Sequence, residues 1–245
     1  MVPDSAGCAP DHSDTLGPTV NVPLAPASTA PPAGLTEPPL RTRLAARVGS
    51  GVAGVSRRLG RGGGSVIGGR AILVVDRRAL ERLAAGRTVA LVSGTNGKTT
   101  TTSLLRAALS TNGPVATNAL GANLPPGLAA ALASAPPGAP AALEVDEAWL
   151  SRVADATSPR VVALLNLSRD QLDRNNEVRL LASAWRKTFA SRPSTTVVAN
   201  ADDPLVAWGA GLARDVRWVG AGQPWTDDAA GCPCCGGRIR FEAGD

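Results

Sequence analysis

The sequence predicts an α/β protein with a mostly parallel sheet and flanking helices. Three observations predict it. From residue 71 onward, β-like apolar runs alternate with helix-compatible stretches. Those runs are near-continuous rather than alternating, as expected of strands covered on both faces. A glycine-rich loop, Ser93-Gly94-Thr95-Asn96-Gly97-Lys98-Thr99-Thr100, joins one such run to a helical stretch, in the manner of a phosphate-binding strand–loop–helix unit.

Taken in order, residues 1–40 are rich in Pro, Ala, Ser and Thr with little apolar periodicity, and read as a disordered tail. Leu44, Val48, Val52, Val55 and Leu59 recur at three- and four-residue spacing and predict an amphipathic helix, weakened by Gly49, Gly51 and Gly54. Ala71 to Val75 reads as a strand, Arg77 to Ala85 as a helix, and Thr88 to Val92 as the strand before the loop. Thr101 to Leu109 reads as the helix after it. Further strands are expected at Val115–Thr117, Ala141–Val145, Val161–Leu167, Thr195–Ala199 and Val216–Val219, with Ala133–Pro140 as a connector. In Asn200-Ala201-Asp202-Asp203-Pro204, Asp202 or Asp203 is expected to cap a helix that has Pro204 in its first turn. The last stretch, Cys232-Pro233-Cys234-Cys235-Gly236-Gly237 with a short strand over Arg238–Glu242, reads as the start of a ribbon-like knuckle.

At 245 residues and 44% hydrophobic content the chain is large enough for a substantial core. The net charge of +5 is local: residues 41–87 carry eleven Arg against two acids, and residues 88–245 balance at fourteen each. The Arg-rich segment admits an anionic partner, such as a lipid-linked pyrophosphate or a membrane surface, but a solvated helix packed on one face is the preferred reading. Nucleic-acid binding is disfavoured, because aromatics for base stacking are not interleaved with the Arg residues. No run approaches membrane-spanning length and the tail lacks the pattern of a secretory signal, so a cytoplasmic location, peripheral to the inner membrane face at most, is expected. Cys8 stands alone while the other three cysteines crowd together, which points to metal rather than to a disulfide framework.

The chemistry concentrates in three places that a parallel sheet would bring to one edge. In the loop, Gly94, Thr95, Asn96, Gly97, Lys98, Thr99 and Thr100 are the candidate nucleotide-binding residues. Glycines let backbone N–H groups close around phosphate oxygens, Lys98 reaches the terminal phosphates, and Thr99 holds Mg²⁺. The general motif is incomplete, since Val92 stands where its first glycine is expected. Glu144 ends a strand and is the second candidate Mg²⁺ ligand. Asp146 and Glu147 read instead as charges favouring the N-terminus of the next helix. The run Asn166 to Arg174 carries more polar groups than a turn requires.

Gly94-Thr95-Asn96-Gly97-Lys98-Thr99-Thr100, Gly121-Ala122-Asn123-Leu124, Leu143-Glu144-Val145-Asp146-Glu147, Asn166 to Arg174 and Asn200 to Pro204 together resemble the Mur ligase family, and within it the MurT-like ligases that partner a GatD-type glutamine amidotransferase. The resemblance covers roughly residues 41–245. It implies a Mur-ligase-type ATPase domain over 41–220 and a partial zinc-ribbon insertion over 221–245. It also implies ATP and Mg²⁺ as cofactors, with Lys98, Glu144 and Asp170 as catalytic residues, Asn123 near the phosphates, and Thr99 and Glu144 on Mg²⁺. Gln171 stands where many Mur ligases place a metal-binding His, and the only histidine here is His12 in the tail, which argues against a second metal. Lys187 is the one candidate for the carbamylated lysine of many relatives, and a surface cation is the preferred reading. Cys232 and Cys235 have the C-x₂-C spacing of a zinc knuckle, but with Cys234 they offer three sulfurs where a tetrahedral structural site needs four ligands.

The implied activity is ATP-dependent activation of the D-glutamate α-carboxylate in the lipid II stem peptide, followed by amidation with ammonia from the GatD partner. Two alternatives stay open: a non-catalytic nucleotide-binding remnant, since the family pattern would continue beyond Asp245, and another Mur-type amino-acid ligase akin to folylpolyglutamate synthase.

Overall fold

The computed structural model describes residues 37–58, 64–118, 121–167, 175–222, 232–234 and 237. Its centre is a five-stranded, wholly parallel sheet of β1 (Val89–Ser93), β2 (Ala141–Glu144), β3 (Val161–Leu164), β4 (Thr196–Asn200) and β5 (Asp215–Val219), in the order β2-β1-β3-β4-β5. The strands are apolar because they are enclosed: Val89, Leu91 and Val92 of β1 and Ala141, Ala142 and Leu143 of β2 are almost inaccessible to solvent. From β1 the chain passes to β2 on one side, then returns across β1 to β3 on the other. This reversal makes the carboxyl end of β1 a topological switch point, where open α/β sheets bind ligands.

The helices are α1 (Leu40–Arg58), α2 (Ser65–Val75), α3 (Ala79–Ala84), α4 (Lys98–Leu109), α5 (Pro125–Ser134), α6 (Leu150–Thr157), α7 (Asn175–Ala190) and α8 (Pro204–Ala210). The strand expected at Ala71–Val75 is the second half of α2. Its five apolar residues carry no turn signal, so strand and buried helix are indistinguishable by run length alone, and packing decides. The strand expected at Val115–Thr117 reduces to one bridge, Ala116 to Ala141. The remaining expected strands form within one to three residues of their predicted ends, and Asp203 caps α8 by accepting from the Leu205 and Val206 amides. The proposed strand at Arg238–Glu242 lies outside the described residues.

Helices α1 and α2 pair as an antiparallel hairpin. The two ends of the pair are marked by Arg41 Nε, which donates to the Val75 carbonyl, and by Gly64 lying against Ala53. Close approach explains part of the glycine content. A Cβ on Gly49 would sit 2.7 Å from the Gly68 carbonyl oxygen, and one on Gly69 would sit 1.8 Å from that of Pro126 in α5. Gly51 has open space around the Cβ it lacks. Gly69→Ala is therefore expected to destabilise the fold by about 1–3 kcal/mol through overpacking. Gly51→Ala should be stabilising by up to about 1 kcal/mol from helix propensity. Urea denaturation of the two variants checks both signs.

Asp76 locks this hairpin to the rest. Buried at 2% exposure, it accepts from Thr42 Oγ1 of α1 (2.6 Å), Arg82 Nη1 of α3 (2.9 Å) and the Arg78 amide (3.1 Å). Burial pushes its carboxyl upward, but the bonds from Thr42, Arg82 and Arg78 outweigh that and hold it below the usual carboxylate value. A depressed folded value means that the stabilisation is complete above the unfolded pKa and is lost as pH falls through the folded one. Asp76→Asn should cost about 1.5–3 kcal/mol at neutral pH. The gap between variant and parent in thermal denaturation should close progressively below about pH 4.

Candidate functional site

The loop after β1 is shaped by β3. The Thr95 amide donates to the Asn166 carbonyl (2.9 Å), the Asn96 amide to Asn166 Oδ1 (2.8 Å), and Asn166 Nδ2 returns a bond to the Asn96 carbonyl (3.1 Å). Gly94, with φ 149°, lies so close to β3 that a Cβ would meet Leu165 Cβ at 2.9 Å and the Asn166 nitrogen at 3.0 Å. Gly97, with φ 82°, is the left-handed residue from which α4 starts, and neither a side-chain cap nor an acidic residue occupies that helix start. An uncapped helix N-terminus behind a glycine turn is a site for an anion such as phosphate.

Lys98 and Thr99 open α4 and turn toward β2. Lys98 Nζ donates to the Gly94 carbonyl, to the Thr95 carbonyl (3.0 Å) and to Glu147 Oε1 (3.1 Å); the lysine and glutamate side chains are 13% and 16% exposed. Thr99 Oγ1 donates to Glu144 Oε2 at 2.8 Å. Glu144 is almost fully buried at the end of β2, and its backbone is fixed by Asn118. The Asn118 Oδ1 accepts from the Glu144 amide (2.9 Å), and Nδ2 donates to the Glu144 carbonyl (2.8 Å) and to the Ala122 carbonyl (3.0 Å). Ser93 Oγ binds the Val145 carbonyl (2.9 Å), tying the ends of β1 and β2 together. The paired hydroxyl and carboxylate are hard oxygen donors, the set that suits Mg²⁺.

Glu147 does not serve the start of α6. Its carboxylate engages Lys98, and its carbonyl accepts from Trp185 Nε1 of α7 (3.1 Å). The helix-charge reading of Glu147 is thus corrected: the turn after β2 carries it back over the phosphate loop, beyond the reach of local spacing rules. Asp146 forms a local turn, accepting from the Ala148 amide. Asn123 meets this acid loop through its backbone, its carbonyl accepting from the Asp146 amide (3.1 Å). Sequence reasoning missed Asn118 and gave Asn166 no role of its own, since both act by holding backbone rather than by presenting chemistry.

The structure therefore brings Gly94 to Thr99, Glu144 and Glu147 together and sets Asn123 at their margin, with Thr100 exposed on α4. Asp170, Gln171 and Asp173 lie outside the described residues. Lys187 is exposed on α7, as a surface cation would be. Cys232 and Cys234 are half-buried, and Cys235 is outside the described residues. The carbonyls of Pro233 and Cys234 accept from Arg179 of α7 at 3.2 and 2.8 Å. Among the described residues no group of three or more His, Cys, Asp or Glu side chains is clustered to hold a metal.

The Mur ligase middle domain matches residues 92–223. The MurT subunit of the glutamine-hydrolysing lipid II isoglutaminyl synthase of Streptococcus pneumoniae is 33% identical over 216 residues, covering 83% of this chain and 48% of that protein. Its counterpart in Staphylococcus aureus is 29% identical over 198 residues, or 76% of this chain and 45% of that protein. A UDP-N-acetylmuramoylalanine–D-glutamate ligase of Anaeromyxobacter dehalogenans is 35% identical over 145 residues, 58% of this chain and 30% of that protein. The chain spans about half the length of the MurT proteins that it matches.

Proposed function

The chain belongs to the Mur ligase family, and from that premise we propose that it is the carboxylate-activating, MurT-type part of an amide ligase acting on lipid II. In the proposed reaction the α-carboxylate of D-glutamate in the stem peptide attacks the γ-phosphorus of ATP, giving an acyl phosphate and ADP. Ammonia from a GatD-like glutamine amidotransferase then displaces phosphate to give D-isoglutamine. The observation that carries this reading is the Lys98–Glu147 and Thr99–Glu144 arrangement at the mouth of the phosphate loop. Similarity to MurT over 83% of the chain supports lipid II as the substrate within the family.

Each residue has a part that its contacts support. Gly94 and Gly97 let the backbone approach a polyphosphate, and the start of α4 adds its dipole. Lys98 exchanges Glu147 and the loop carbonyls for phosphate oxygens and offsets the charge that moves to the leaving group. Thr99 and Glu144 would hold Mg²⁺, which neutralises phosphate charge during transfer. Glu147 keeps Lys98 oriented between turnovers. Asn123 is assigned to the phosphates, and Asp170 to the surroundings of metal and substrate, by family resemblance alone. The same reading divides the chain into a tail over 1–40, an ATP-binding domain over 41–220 and the start of a ribbon from 221. Zinc is given no step. No helix among the described residues is long and apolar enough to cross a membrane, and the proposed site of action is the cytoplasmic membrane face, where lipid II is met.

Reconstitution tests this. The chain is incubated with a GatD-type amidotransferase, glutamine, ATP, Mg²⁺ and lipid II, and the product muropeptide is read by mass spectrometry. Conversion of D-glutamate to D-isoglutamine, dependent on glutamine and ATP, is the expected result. Nucleotide binding without amidation would leave a binding module. ATP-dependent addition of an amino acid in place of ammonia would make the chain a different Mur-type ligase.

A further inference from the structure

The α1–α2 hairpin has one face that no other element among the described residues covers. On a 100° helical wheel the core-facing residues Thr42, Ala45, Gly49, Ala53 and Ser56 occupy one side of α1. Leu40, Leu44, Val48 and Val55 fall within an arc of about 80° on the opposite side, and they are 80%, 56%, 40% and 58% exposed. Exposed Arg41, whose Nε is held by the Val75 carbonyl, borders that arc on one flank, and exposed Arg47 and Arg43, the latter ion-paired with exposed Glu37 (2.8 Å), border it on the other. Helix α2 continues the pattern with exposed Val66, Ile67 and Val74 around exposed Arg70. Seven of the thirteen exposed large hydrophobic residues among those described sit on this hairpin. Between residues 40 and 75 the sequence has seven Arg and no Asp or Glu.

Ordinary solvated helices do not combine these features. Solubility alone would favour mixed charges along an exposed face, whereas an apolar stripe flanked by cations fits the interface of an anionic bilayer. Apolar side chains enter the headgroup boundary while guanidinium groups meet lipid phosphates, and each cation near such a surface strengthens binding several-fold. We propose that the exposed face of α1 and α2 is a peripheral docking surface for anionic phospholipid. The inference goes beyond the proposed ligase reading in that it assigns a separate contact with bulk lipid.

Vesicle flotation of the whole chain tests it, using vesicles that contain no lipid II. Binding is expected with equimolar phosphatidylglycerol and phosphatidylcholine at about 0.1 M salt. It should be lost with phosphatidylcholine alone and at about 1 M salt, where the Debye length shrinks to about 3 Å. Arg47→Gln with Arg70→Gln should weaken binding roughly ten- to thirty-fold. Leu44→Ser with Val48→Ser should also weaken it, and both double variants should keep parental circular dichroism and ATP affinity. No flotation, equal flotation with neutral vesicles, or indifference to both pairs of substitutions would overturn the proposal. A change of oligomeric state in the variants with no vesicle binding by the parent would overturn it in favour of a second copy of the chain. Because lipid binding and amidation are read separately, failure of either leaves the other standing.

Discussion

Lys98→Ala is expected to lower ATP-dependent turnover of the reconstituted ligase by roughly 10²–10³-fold, the effect of removing one preorganised charge from a transition state. The loop loses the lysine's bonds to the Gly94 and Thr95 carbonyls but keeps those to Asn166. The variant does leave Glu147, 16% exposed, without its cation. Lys98→Ala with Glu147→Gln should therefore recover stability lost in the single variant without recovering turnover. Denaturation and single-turnover kinetics on the pair separate the two effects. Equal turnover in Lys98→Ala and the parent would remove the loop from the chemistry.

The second large effect is expected at Trp185. Its side chain is fully buried in α7, and Nε1 donates to the Glu147 carbonyl. Trp185→Ala should cost about 3–5 kcal/mol, a large fraction of the stability of a domain of this size, through lost burial and an unfilled cavity. The urea midpoint should fall at unchanged slope. Trp185→Phe should keep much of the packing but remove the donor, costing about 1 kcal/mol. If Trp185 positions Glu147, the Phe variant should lose turnover with little change in the KM for ATP. A purely structural tryptophan would move stability alone.

Much of this was legible before any coordinates. Thr88 to Val92, the loop and the following helix announce themselves because a continuous apolar run, two glycines and a lysine each have a narrow physical explanation. Glu144 was legible because a carboxylate at the end of a buried strand needs a partner. Ala71 to Val75 was not: five apolar residues suit a strand and a buried helix alike, and only the fit of Gly49, Gly68 and Gly69 against neighbouring backbone decides for the helix. Glu147 was misjudged because its partner lies 49 positions away. Asn118 was invisible for a related reason, since its role is to complete the backbone pairing of a strand 26 residues later.

The bonds between Asn96 and Asn166 span 70 residues. During synthesis β1, the loop and α4 leave the ribosome long before the strand that shapes them, and chain growth is slow relative to local helix formation. The nascent chain therefore carries a phosphate-loop sequence without a phosphate-loop conformation until Asn166 has emerged and β3 has paired with β1. Nucleotide affinity should thus appear late and abruptly as the chain lengthens. A stalled chain ending before residue 160 would be blind to ATP, and one extended past β4 would respond to it.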